Sequence, residues 1–145
     1  VGTLQKNKVR GVIKEFDFIH SVDSLSLLER ISRISLEEQK TPNIFLQVKF
    51  RNDPQKGGFS KEDLLNSWSK IIALKNVNLI GLMTIPPIAL DSYQRKNLFH
   101  ECKNLANHLG LKDCSMGMSN DWKEAVEVGA TWIRLGSFLF GKRRT

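Results

Sequence analysis

Two stretches near the C-terminus of this 145-residue chain carry residues suited to holding an anion without a cation. The first is Ser115-Met116-Gly117-Met118-Ser119-Asn120-Asp121-Trp122. It ends a run of strand length and leads into a helical pattern of Trp122, Ala125 and Val126. The second is "LGSFLFG", which begins at Leu135. Gly117 and Gly136 let backbone N–H groups come close to a ligand. Ser119 and Ser137 add hydroxyl donors, and helix N-termini add unpaired amides at a positive dipole end. Together these groups suit a phosphate. The same residues have a plainer use: Ser119, Asn120 or Asp121 can cap the helix, and Gly136 can ease a turn. Between the two stretches, alternation along "TWIRLG" places Trp132, Arg134 and Gly136 on one face, opposite Ile133 and Leu135. An arginine directed inward beneath a phosphate loop calls for a ligand or a carboxylate, because an unpaired buried charge is costly. A buried structural ion pair is the alternative to a ligand.

The elements that would position these groups alternate in type. Runs of strand length are Phe18–Val22, Ile44–Phe50, Leu79–Ile85, Cys114–Met118 and Trp132–Gly136. Between them, Leu25, Leu28 and Ile31 mark one helix face, and Leu64, Leu65, Trp68, Ile71 and Ile72 a second. Leu98, Cys102, Leu105 and Leu109 mark a third, and the helix from Trp122 ends before Gly129 as its C′ residue. Ser60 three residues ahead of Asp63 resembles a capping box. Pro86-Pro87 closes the preceding strand. Strict βα alternation predicts a parallel sheet, as a barrel or as an open doubly wound sheet. Neither a GxGxxG fingerprint nor a P-loop is present, which weighs against the open nucleotide-binding sheet. A (β/α)8 barrel needs eight strands and about 250 residues. The chain opens on Val1 and "VGTLQKNK" reads as the tail of a strand, so the expectation is an incomplete barrel, from the end of strand 3 to strand 8, forming one domain over 1–145.

Composition excludes several classes. With 41% hydrophobic and 26% charged residues the chain is that of a globular protein. No apolar run is long enough for a membrane span, and no export signal is visible. The net charge of +7 suits a polyanion, but the cations are dispersed apart from the terminal "GKRRT", and no nucleic-acid motif accompanies them. Cys102 and Cys114 read as structural thiols in a reducing compartment. No His, Cys or carboxylate cluster has metal-ligand spacing, so no metal is expected. His100 and His108 read as surface or boundary residues. His20, near Asp23 at a strand end, is placed for a hydrogen bond at the mouth.

"GLMTIPP", "SMGMSNDWKEAVEVGATWIRLGSFLFG", the opening "VGTLQKNK…IHSVDS" and "QKGGF" together resemble the pyridoxal-phosphate homeostasis proteins, the YggS/PROSC family. The resemblance covers essentially the whole chain, and the pattern SMGMSxDxxxAxxxGxTxxRxGxxxFG is long and specific. It implies a TIM-type α/β barrel of the alanine racemase N-terminal, fold-type III kind that binds pyridoxal 5′-phosphate (PLP). It also implies a cytoplasmic, monomeric, non-catalytic carrier or regulator of PLP supply. By the family's pattern, Gly117, Met118, Ser119, Gly136 and Ser137 surround the phosphate, Arg134 faces the pyridine nitrogen, and Met83 lies near the cofactor. An arginine can only donate to that nitrogen, which discourages carbanion chemistry. The family's Schiff-base lysine lies at the end of its first strand, ahead of Val1, and is absent here. Lys49 stands where relatives often carry Asn; it can form an imine if desolvated, or extend to the rim. An amino-acid racemase is the alternative reading. It is disfavoured by a single tyrosine, Tyr93, and by the lack of a second domain in the sequence.

Overall fold

The computed structural model describes residues 2–141, apart from the side chains of Ser137 and Phe138. The opening, read from sequence as a strand tail, is instead irregular over residues 2–5 and a 3₁₀ turn over Lys6–Lys8; from it α1 (Val9–Glu15) leads into β1 (Phe18–Val22) and α2 (Leu25–Glu37). They are followed by β2 (Asn43–Gln47), α3 (Lys61–Ala73), β3 (Asn78–Met83), α4 (Ser92–His108), β4 (Asp113–Met118), α5 (Trp122–Glu127), β5 (Trp132–Arg134) and α6 (Ser137–Phe140). All four strand pairings are parallel, and the order is β1-β2-β3-β4-β5. That order separates the two sheet types left open by the sequence. A doubly wound sheet reverses direction part-way, whereas strands added always on the same side by right-handed crossovers put every helix on one face. The opposite face curls inward, and the result is five strands of a (β/α) barrel.

Alternation then sorts the side chains. Ile44, Leu46 and Val48 of the second strand region join Leu82, Cys114 and Met116 in the core beneath the helices. Leu27, Leu28, Ile31, Leu64, Leu98, Phe99, Cys102 and Ala125 meet them from the helix side. Phe45, Gln47, Met83 and Ser115 are buried too, but on the concave face. Ser60 caps α3 as its sequence suggests, its hydroxyl accepting from the Asp63 amide, and Ser24 caps α2 in the same way through the Leu27 amide. The α4 start, invisible to the apolar pattern, is a full capping box of Asp91 and Gln94. It also puts Tyr93 in the first turn of α4. Gly129 follows α5 with φ +98°, the left-handed C′ residue expected from sequence.

Three strands end sooner than their apolar runs, each for a local reason. After Gln47 the chain peels away to a returning loop: Phe59 N–H donates to the Gln47 carbonyl and Lys49 N–H to the Phe59 carbonyl. After Met83, the Thr84 hydroxyl donates to the Val48 carbonyl at 2.9 Å, and two prolines then remove the donors a ladder needs. After Arg134 the chain turns at Gly136 into α6. Past Gln47 the hydrophobic run continues because Val48 and Phe50 still pack on the core after the regular strand has ended.

Candidate functional site

The five strands deliver a compact set of polar and aromatic groups to the concave face. His20 of β1 stacks on Phe45 of β2, with centroids 4.3 Å apart and rings 18° from parallel. Trp132 of β5 packs edge-on against both, at 5.5 Å and 5.8 Å, and tilts against Phe18 at 4.9 Å. First and last strands thus meet through aromatic rings across the curl. Beside them Arg134 reaches back over β4 and β3: Nη1 donates to the Ser115 Oγ at 2.7 Å, and Nη2 to the Thr84 carbonyl at 3.0 Å. Its Nε is buried with no hydrogen-bond partner. Among the described residues no carboxylate forms an ion pair with this guanidinium. The structural ion pair left open by the sequence is therefore not what holds it.

Burial sets the protonation states here. It lowers the Arg134 pKa to about 10, opposed chiefly by the charge of Asp121, so the group stays cationic at neutral pH. Burial, reinforced by the Arg134 charge, lowers the His20 pKa to about 4, so the imidazole is neutral. His20 finds its partner in Ser115, with Nδ1 2.8 Å from the hydroxyl oxygen. It was expected to lie near Asp23, whose carboxylate accepts instead from the Ser24 hydroxyl.

A cleft of about 480 Å³ opens on this surface, bordered by Leu4, Val12, Phe18, His20, Met83 and Arg134. Met83 and Arg134, both expected at the site, line it. The remaining expected residues form two neighbouring turns, since Met118 is the register partner of Arg134. In the first turn, Asp121 N–H donates to the Met118 carbonyl at 3.1 Å, and Met118 N–H donates to the Asp121 carboxylate at 2.6 Å. Asp121 precedes α5 without capping it through its side chain. Ser119 sits half-buried in this turn. The second turn holds Gly136, where an added Cβ would meet nothing within 4 Å, and the backbone of Ser137; the Ser137 side chain lies outside the described residues. The terminal basic cluster at 142–145 is also outside them.

Gly117 requires a different explanation from the one its sequence suggests. Its φ is +95°, and a Cβ there would lie 2.7 Å from the Ala125 Cβ and 3.0 Å from the Trp122 Cα. The missing side chain makes room for α5 rather than for a ligand. A register slip between Ser115 and Met118 turns this residue away from the concave face that parity alone assigns it. Lys49 borders a separate void of about 10 Å³ beneath the 53–57 loop, where Lys56 Nζ donates to the Pro86 carbonyl at 2.8 Å. A space of that size holds about one water, not a cofactor.

Sequence reasoning missed Ser115, Thr84 and the role of His20. Ser115 was legible in part, since β4 alternation puts it opposite Met116. The Thr84 carbonyl carries no side-chain signal at all.

Over residues 1–144 the chain matches the family described as alanine racemase, N-terminal domain. A pyridoxal phosphate homeostasis protein of Synechocystis sp. is 44% identical over 149 residues, covering 99% of this chain and 68% of that protein. One from Aquifex aeolicus is 33% identical, covering 99% of this chain and 66% of its own length. The chain thus spans about two thirds of the curated relatives it matches. Among solved structures, PipY of Synechococcus elongatus without PLP superposes with a TM-score of 0.94 at 42% identity, covering 97% of this chain and 69% of that one. PipY with PLP bound gives 0.92 at 41%, covering 97% and 68%. An alanine racemase of Clostridium difficile shares the fold alone, with a TM-score of 0.75 at 16% identity over 100% of this chain and 39% of that one.

Proposed function

Since the chain belongs to the family of alanine racemase N-terminal domains, and within it to the pyridoxal phosphate homeostasis proteins, we propose that it binds PLP and serves as a carrier or regulator of the cofactor, not as a catalyst. The observation that carries this reading is Arg134: a buried cationic guanidinium with no carboxylate ion pair among the described residues, bordering a cleft beside two backbone turns. Residues 1–145 act in it as one binding domain.

The residues present fit the cofactor. The turn of Met118 and Ser119, which Gly117 lets close against α5, and the turn of Gly136 and Ser137 would hold the phosphate. Arg134 would face the pyridine nitrogen, with Met83 against the ring. Bound PLP supplies an electron sink whose strength depends on a protonated ring nitrogen. Arg134 keeps its own proton at neutral pH and can only donate, so it holds that nitrogen unprotonated and weakens the sink. A site built so retains the cofactor while suppressing its carbanion chemistry. The Asp121 carboxylate now bonded to the Met118 amide would yield that donor to a phosphate. Two buried free thiols, Cys102 and Cys114, fit a cytoplasmic setting, and none of the described helices is long and apolar enough to cross a membrane. Every group named comes from one chain, which fits a monomer when the barrel is complete.

Equilibrium dialysis of the chain against PLP tests the reading. Arg134→Ala should weaken retention by about tenfold to a hundredfold, the loss of a charged hydrogen bond. Unchanged retention would move the ligand elsewhere. Measurable racemisation of alanine or serine would overturn the carrier role in favour of a racemase-like enzyme.

A further inference from the structure

Ser115 is the junction of two hydrogen bonds, and its single proton can serve only one. Its residue is 0% exposed, with Arg134 Nη1 at 2.7 Å and His20 Nδ1 at 2.8 Å from the same oxygen. Arginine has no acceptor, so the hydroxyl must accept from Nη1. A neutral imidazole carries one proton on two nitrogens, which leaves two arrangements. If Nδ1 holds the proton, the Ser115 oxygen accepts twice and its own hydrogen has no acceptor in a sealed position. If Nε2 holds it, the Ser115 hydroxyl donates to Nδ1 while accepting from Nη1, and both its proton and its lone pair are used. The guanidinium strengthens the second arrangement, because a hydroxyl that accepts from a cation becomes a better donor.

We propose that His20 is a positioning residue for Arg134: its Nδ1 takes the Ser115 proton, so that Ser115 turns only lone pairs to the guanidinium. The imidazole is itself held flat on Phe45 and braced by Trp132, so the orientation of the arginine on β5 is set from β1, four strands along the sheet. His20 Nε2–H is left directed away from the relay, on a residue that borders the cleft. The relay does not depend on which ligand Arg134 meets; its effect on PLP rests on the function proposed above.

Two measurements test it separately. Long-range ¹H–¹⁵N spectra of the ligand-free chain at neutral pH should show His20 as the Nε2–H tautomer, with Nδ1 an acceptor. An Nδ1–H tautomer or an imidazolium would overturn the relay, whatever PLP does. Dialysis with PLP then compares two variants. His20→Phe keeps the stack on Phe45 but removes the acceptor, and should weaken retention about tenfold, the worth of one net hydrogen bond. His20→Asn puts a carbonyl oxygen where Nδ1 stood, and should recover to within about threefold of the parent. Equal losses in both would make His20 a packing residue only. A parent chain that ignores PLP would sink the cofactor assignment while leaving the tautomer to decide the relay.

Discussion

Arg134 shows how far a residue can be read from its neighbours in sequence. Alternation along "TWIRLG" and the cost of a buried charge together place it inside the curl, and the structure has it there with Trp132. What alternation cannot supply is the register between strands, and register decides that Ser115 and Thr84 are the acceptors. His20 was legible as polar and near a strand end, but its partner lies 95 residues on, and nothing local points to it. Its lowered pKa has a consequence for stability. Between pH 6.5 and about 4 the unfolded imidazole binds a proton that the folded one refuses, so stability falls as pH drops through that window and is unaffected above it. For a half-buried ring the loss is about 1–2 kcal/mol after solvent screening. Urea unfolding at pH 7 and pH 4.5 should show that His20→Phe declines less than the parent over the same interval. Parallel declines would mean that the imidazole titrates as in a free peptide.

At the scale of elements, the apolar periodicity located every strand and three of the longer helices, because buried faces need it. It overran the strand ends at Gln47, Met83 and Arg134, because hydrophobicity does not mark where the regular ladder gives way to a loop or turn. It also said nothing of the glycines that let elements approach. A Cβ at Gly81 would lie 2.2 Å from the Asp113 carbonyl oxygen on the adjacent strand, a backbone atom that cannot step aside. Gly81→Ala should therefore split β3 from β4 and leave little folded protein, read as loss of the cooperative unfolding transition. Gly117→Ala meets Ala125 and the Trp122 Cα on α5 and must also adopt φ +95°, so a cost of about 2–4 kcal/mol is expected from the urea midpoint. Gly136→Ala, with open space around it, serves as the control and should lose less than about 1 kcal/mol. Comparable losses at Gly117 and Gly136 would deny the close strand–helix contact its importance.

At the scale of the whole molecule, the described sheet has two edges. Among the described residues β1 pairs only with β2, and β5 only with β4. Phe16, 60% exposed, and Phe18, 41% exposed, lie beside the first edge. Unpaired strands flanked by apolar rings invite pairing between copies. Sedimentation velocity of the 145-residue chain by itself should show association rising with concentration, and Phe16→Lys should reduce it. A single monomer boundary at every concentration would refute this. The parallel sheet was readable from βα alternation and the barrel from the family resemblance, whereas the curl was not, because curvature comes from strand twist and from contacts between distant ends. Trp132 makes that curvature observable. Its indole is wedged between the rings of β1 and β2, so any flattening of the sheet carries it out of an aromatic nest and into water. With Trp68 and Trp122 replaced by phenylalanine, its emission colour becomes an internal strain gauge for how tightly the strands are wound.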